Sequence, residues 1–289
     1  MALAACGKSE RAAPGIKDPV VSGGVIPAET LQLVTAVIPT WDATSAQLRL
    51  WTRPDGKAPW KLALGPWPGV IGRTGAAWGM GRHGRGPFPN RPGPLKVEGD
   101  GKSPAGAFLL QGTYGVAATP PTSAGLPYQH VDANWQCVDD SASSHYNTIV
   151  DKRAVETDWK SAEDMMRPDP LYTWVVDVAH NPTRIPNGGS CIFLHVWSGA
   201  DSTTVGCTAM EEPRLAQLIG TLSATKQPMF VLLPRAEYEA LAPAWELPPP
   251  LGRLAGCTGR RSSSLTTSRP RPITRRRSPA MKPSCMAAS

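Results

Sequence analysis

The sequence predicts a mainly β domain, a β-sandwich or open barrel carrying one or two short helices. Three observations point there. The 289 residues include 28 glycines and 31 prolines, about a fifth of the chain, and such a content breaks or weakens long helices. Hydrophobic residues make up 41%, and they fall in short runs separated by turn residues, as strands require. Only two stretches carry a helical pattern, both near the end of the apolar body.

Residues 31–37 and 47–52 read as strands, being apolar or alternating. Residues 65–94 are dense in Gly, Pro and Trp and read as turns with short strands. Residues 108–110 form a short apolar run. Residues 172–178 and 191–197 are strand candidates, and the second, almost continuously apolar, reads as central. A helix is expected after Met210. Glu211 and Glu212 fall in its first turn beside Pro213, and Leu215, Leu218, Ile219 and Leu222 recur at helical spacing. Residues 229–233 read as a buried strand and 235–241 as a second short helix. This order suits a β-layer with a helix packed on it.

Three segments follow from composition. Residues 1–29 hold Leu3-Ala4-Ala5-Cys6, which resembles a bacterial lipobox, and then a linker rich in small residues and proline. The basic and apolar stretches that precede a true lipobox are missing. Two readings stand: chance in an alanine-rich start, or a truncated precursor whose lipidated Cys6 anchors it to a membrane. Residues 30–250 form the folded domain. Residues 251–289 are rich in Ser, Thr, Arg and Pro and read as a disordered tail. Nine of the 30 basic residues and none of the 23 acidic ones fall in that tail, so the net charge of +7 does not describe the body. A nearly neutral body argues against a nucleic-acid binder, whose basic surface should sit on the folded domain. No run of about 18 apolar residues exists, which excludes a multi-pass helical membrane protein.

The six cysteines contain no CxxC pair, so a zinc ribbon or thioredoxin-like motif is unsupported. Cys137 and Cys191 are read either as a disulfide formed in an oxidising compartment or as two separate buried thiols.

Chemistry concentrates in residues 189–210. His195 ends an apolar strand, and twelve residues later Gly206-Cys207 precedes the amphipathic pattern. Cysteine has a pKa near about 8.5 and is mostly thiol at neutral pH. A histidine in reach takes the proton, and a helix N-terminus close by favours the thiolate. Cys207 is thus the candidate nucleophile and His195 the candidate base. The amides of Gly206 and Cys207 are candidates for an oxyanion hole. On residue types alone, a buried histidine and an inert core thiol are the commoner outcome.

His195 followed by Thr204-Val205-Gly206-Cys207 resembles the signature of the L,D-transpeptidase catalytic domain. Residues 96–108 resemble the family's other recurrent stretch. Cys137-Val138-Asp139-Asp140 with Tyr146-Asn147 resembles a block of one subfamily, as does the segment 232–249. The similarity spans about residues 30–250. It departs from the best-known members at Val205, which stands where they carry a second histidine, and in a shorter gap between His195 and Cys207. The resemblance implies a β-rich envelope enzyme that needs no metal or cofactor, located in the periplasm or cell envelope. It implies peptidoglycan stem peptides as partner, attacked by Cys207 to form a thioester with loss of D-alanine, before an amine accepts the acyl group. A backbone carbonyl would orient His195, and Tyr146, Asn147 and Thr204 would bind substrate. Tyr146 and Asn147 read equally well as a structural turn. Rival readings are an L,D-carboxypeptidase or amidase on the same scaffold, and a non-catalytic envelope-binding module.

Other candidates read as structural. Gly99-Asp100-Gly101 lacks phosphate-loop spacing and reads as a tight turn on the cleft rim. Asp139 and Asp140 are adjacent and point different ways on a strand, so a turn role is expected. His130 and His145 read as surface loop residues and His180 as part of a turn, while His83 is a candidate for the cleft edge.

Overall fold

The computed structural model describes residues 24–88, 90–121 and 125–249. The lipobox-like start at Cys6 and the basic tail lie outside the described residues. In chain order the strands are β1 (Gln32–Ile38), β2 (Ser45–Thr52), β3 (Lys61–Val70), β4 (Ala76–Trp78), β5 (Met80–Gly81), β6 (Gly84–Arg85) and β7 (Ser103–Gly115). There follow β8 (Tyr128–His130), β9 (Trp135–Val138), β10 (Ile149–Asp151), β11 (Ala162–Asp164), β12 (Val175–Val178), β13 (Phe193–Val196) and β14 (Thr208–Met210). Helix α1 (Glu212–Thr221), β15 (Met229–Pro234) and helix α2 (Arg235–Trp245) complete the described chain.

Eight strands close a barrel in the order β12-β13-β14-β3-β2-β1-β15-β7, and β7 returns to β12. The mainly β expectation holds, with two helices. The expected sandwich or open barrel is corrected to a closed one. Closure depends on β7, whose thirteen residues extend far beyond the apolar run at 108–110. At about 3.3 Å per residue it is long enough to serve several partners in turn. It pairs β4 through Ser103–Ala105, β15 through Gly106–Leu109 and β12 through residues 110–114. The sheet therefore has no free edge at that seam. Two pairings within the barrel are parallel, β1 with β15 and β13 with β14, and β4 and β8 also join β7 in parallel.

The other departures have local causes. Residues 65–70 belong to β3 despite two prolines. That strand pairs with β2 across a register shift between Trp67 and Leu64 and meets β14 only at Val70, so Pro66 falls in the irregular stretch and Pro68 beside a mostly unpaired edge, where a missing N–H costs little. The strand predicted over 172–178 begins at Val175, because Pro170–Tyr172 form a 3-10 turn capped by Asp169. Strand β13 begins at Phe193, since Cys191 has φ of 55°, outside the β region. The second helix runs on to Trp245, whose ring is buried together with Tyr238.

Strands β1 and β15 are buried along their whole length, with α2 packed over them. Phe108, Leu194, Phe230 and Leu232 lie in the main core. A second apolar cluster (Val131, Cys137, Met165, Tyr172, Val175, Cys191, Phe193, Cys207) is separate from the main core. Cys137 and Cys191 are disulfide-bonded, 54 residues apart in sequence, which settles the open choice between bridge and separate thiols. His83 lies away from the thiol. It is buried against Trp78, Phe88, Phe108 and Trp245, and its Nδ1 accepts from the amide of Ala107 at 3.1 Å.

Gly106 in β7 has φ of 139°, and a Cβ there would come within 2.0 Å of the His83 ring. Because that ring is itself packed on all sides, Gly106→Ala is expected to destabilise the fold by about 3 kcal/mol, read as a lower urea midpoint at unchanged slope.

Candidate active site

The site is built where β13 runs parallel to β14. Leu194 and Val196 lie in the main core, while Phe193 belongs to the second cluster. Alternation then sets His195 on the same face as Phe193. Leu194 pairs with Thr208 and His195 with Ala209, so Cys207, one residue before β14, falls level with Phe193. The loop leading to Cys207 is closed by Thr204. Its Oγ1 donates to the Cys207 carbonyl at 2.6 Å and accepts from the Gly206 amide at 3.2 Å. Ser103 at the start of β7 donates to the same carbonyl at 2.9 Å. The expected helix N-terminus beside the thiol is a correction: β14 intervenes, and α1 starts only at Glu212.

The thiol is held by main chain. Its Sγ accepts from the Phe193 amide at 3.3 Å and donates to the Cys191 carbonyl at 3.5 Å. Cys207 is 4% exposed. Burial pushes the thiol up to about 12, and the Glu163 carboxylate adds to the rise. His195 is buried as well, and its Nδ1 lies 2.7 Å from the Val196 carbonyl. A carbonyl only accepts, so Nδ1 carries the proton and the Nε2 lone pair is left for another partner. Burial pulls the imidazole down to about 4. The resting pair is therefore neutral. Among the described residues the two side chains share no hydrogen bond, and the expected resting thiolate is corrected to a thiol.

Both groups nevertheless line one cleft of about 280 Å³, together with Arg73, Arg167, Tyr172 and Thr204. Tyr172 stacks edge-on against the His195 ring, with centroids 5.3 Å apart. Its hydroxyl, beside the sulfur, donates to Glu163 Oε1 at 2.6 Å. Arg167 lies over the Tyr172 ring and grips Asp169 through two bonds of 3.0 and 2.8 Å. A second cleft of about 190 Å³ is lined by Lys96, Glu98, Asp139 and Ser190. The two meet at Arg73, Glu163, Val205 and Cys207. Val205, 63% exposed, stands between them.

Cys207, His195 and Thr204 are thus brought together as expected from sequence, and Gly206 lies beside them. Its amide is already bonded to Thr204, so in this state it does not point at an open oxyanion site. Tyr146 and Asn147 line neither of these clefts. Tyr146 donates to Glu98 and accepts from the Gly189 amide. Asn147 donates to the carbonyls of His180 and Asn181 at 2.8 and 3.0 Å and accepts from the Cys191 amide at 3.0 Å. They are positioning residues: they fix the segment whose Cys191 carbonyl receives the thiol. Asp140 accepts from the amides of Ala142 and Lys160, as a turn residue does. Asp100 accepts from Lys96, Val97 and Lys102 inside the rim turn. His130 is exposed, His145 packs on Trp159, and His180 is buried with Nε2 donating to the Gly188 carbonyl at 3.0 Å.

Sequence reasoning missed Arg73, Glu163, Arg167 and Tyr172. Arg167-Pro168-Asp169-Pro170 signals a rigid turn with a charge pair, but nothing in its spacing leads to His195. Among the described residues no group of three or more His, Cys, Asp or Glu is placed to hold a metal ion. Comparisons of the chain with protein-family models, with curated proteins and with solved structures found no match.

Two outcomes follow from the neutral pair. Alkylation of Cys207 by iodoacetamide is expected to be slow at pH 7 and to keep rising beyond pH 9; a plateau by pH 7 would reveal a resting thiolate. Burial also pulls His180 down to about 3. Histidines with depressed folded values stabilise the fold above their unfolded value of about 6.5 and lose that contribution as pH falls toward 4. Between pH 6.5 and 4.5 the wild-type melting temperature should therefore fall more steeply than that of His195→Gln.

Proposed function

We propose that the protein is a cysteine acyltransferase of the L,D-transpeptidase kind, acting on peptidoglycan stem peptides in the cell envelope. The observation that carries this reading is a thiol and an imidazole lining one cleft, with the imidazole turned by the Val196 carbonyl so that Nε2 is its basic atom. The Cys137–Cys191 bridge adds support, since disulfides persist in oxidising compartments. Arg73 and Arg167 on the cleft wall suit a substrate that ends in carboxylates.

In the first half-reaction Sγ of Cys207 attacks the amide carbonyl that precedes the terminal D-alanine. As the C–S bond forms, the thiol proton leaves the Cys191 carbonyl for His195 Nε2. Because the resting thiol is neutral, this transfer accompanies the attack rather than preceding it. The tetrahedral centre collapses, the C–N bond breaks, and the imidazolium returns its proton to the departing amine. An acceptor amine then attacks the thioester, His195 takes its proton, and the sulfur leaves as a thiol. Thr204 and Ser103 hold the Cys207 carbonyl, so the nucleophile keeps its place while the substrate moves past it.

Intact-mass spectrometry after mixing with a carbapenem tests the reading. Expected is a gain equal to the whole inhibitor, mapped to Cys207 and absent from Cys207→Ala. With muropeptides as substrate, Cys207→Ala should give no product and His195→Ala should lower kcat by about 10²–10⁴-fold. Cross-linked product supports transfer, and trimmed stems alone would move the activity to the hydrolase on the same scaffold. Product from Cys207→Ala, or peptidoglycan bound with neither adduct nor product, overturns the proposal.

A further inference from the structure

Asp177 is the acidic member of a strand that is otherwise valine. Its neighbours Val176 and Val178 lie in the main core, so Asp177 stands on the opposite face of the strand, paired in register with Phe193. Among the described residues it makes no hydrogen bond and no ion pair, and burial alone lifts its carboxyl to about 6. An ionised carboxylate in such a place is costly unless something pairs with it.

What it faces is a cavity of about 300 Å³, lined also by Gln111, Tyr114, Thr148, Arg184 and the Cys137–Cys191 bridge. That volume sits at the small end of ligand pockets. Arg184 is exposed and likewise forms no ion pair among the described residues. The cavity thus presents a carboxylate and a guanidinium that no ion pair joins among the described residues, with amide and hydroxyl side chains also in its lining. A hydrophobic ligand would leave both charges unmet; a simple cation or anion would meet only one.

We infer that this cavity binds a small zwitterionic amine, an amino-acid head group, with its ammonium on Asp177 and its carboxylate on Arg184. The site is separate from the thiol. Neither Cys207 nor His195 lines it, and Cys191 forms the wall shared with the second cleft. It therefore stands whether or not the acyl-transfer reading does.

Titration of the full chain with glycine, ethylamine and acetate, followed by amide chemical shifts, tests it. Glycine is expected to saturate with shifts confined to Gln111, Thr148, Asp177 and their neighbours. Asp177→Asn, close in shape and checked for an unchanged melting curve at pH 5, should weaken glycine and ethylamine by about thirtyfold or more. Arg184→Gln should weaken glycine while leaving ethylamine unchanged. Glycine that fails to saturate up to its solubility, equal binding to Asp177→Asn, or acetate binding as well as glycine would each overturn the inference.

Discussion

The parallel pairing of β13 with β14 is the contact on which the rest of the site depends. Parallel strands in register carry side chains of matching phase to the same face. Leu194 and Thr208 therefore face one way, and Phe193, His195 and Cys207 the other. A slip of one residue would send the histidine into the barrel core and the thiol out of reach. What prevents the slip is packing on both faces. Leu194 is fully buried in the main core, and Phe193 is locked against Tyr172 in the second cluster.

Burial then decides the chemistry of the pair. Desolvation penalises whichever form is charged, so it raises the thiol and lowers the imidazole at once. A neutral acid and a neutral base are the stable resting state of such a pocket, and a thiolate needs a partner that only a substrate brings. The main-chain contacts to Phe193 and Cys191 fit this state. They give the thiol one donor and one acceptor without adding a formal charge. Glu163 works in the same direction, since a carboxylate beside the sulfur opposes its ionisation.

The fold was legible wherever one face of an element is apolar. Residues 31–37, 47–52, 229–233 and the helix after Met210 were read with small boundary shifts, because burial on a barrel face leaves its period in the sequence. Closure was not legible. It rests on β7, where Gly, Ala and Pro at 104–107 disguise a strand that reads as a turn, and on pairings between residues far apart in the chain. Within the site, Cys207, His195 and Thr204 were found because they lie within thirteen residues of one another. Arg167 and Tyr172 were not, since a 3-10 turn and a bulged strand bring them in from a separate segment. Tyr146 and Asn147 were read equally as substrate-binding or as a structural turn, and their hydrogen bonds are those of a turn. Asn147 has φ of 56°, and left-handed asparagine is a turn former first.

The disulfide links these observations. It ties β9 to the residue just ahead of β13, and that residue supplies the carbonyl that holds the thiol. Asn147 fixes the amide of Cys191 while Cys137 fixes its side chain, so its position is set from two directions. On one side of this residue lies the cleft that reaches the thiol, and on the other the cavity of Asp177. A thiol placed by main chain rather than by a charged partner is sensitive to backbone movement, because its hydrogen bonds are weak and directional. The bridge and the asparagine remove that freedom. The thiol can then stay buried and neutral in one geometry, as the proposed attack requires.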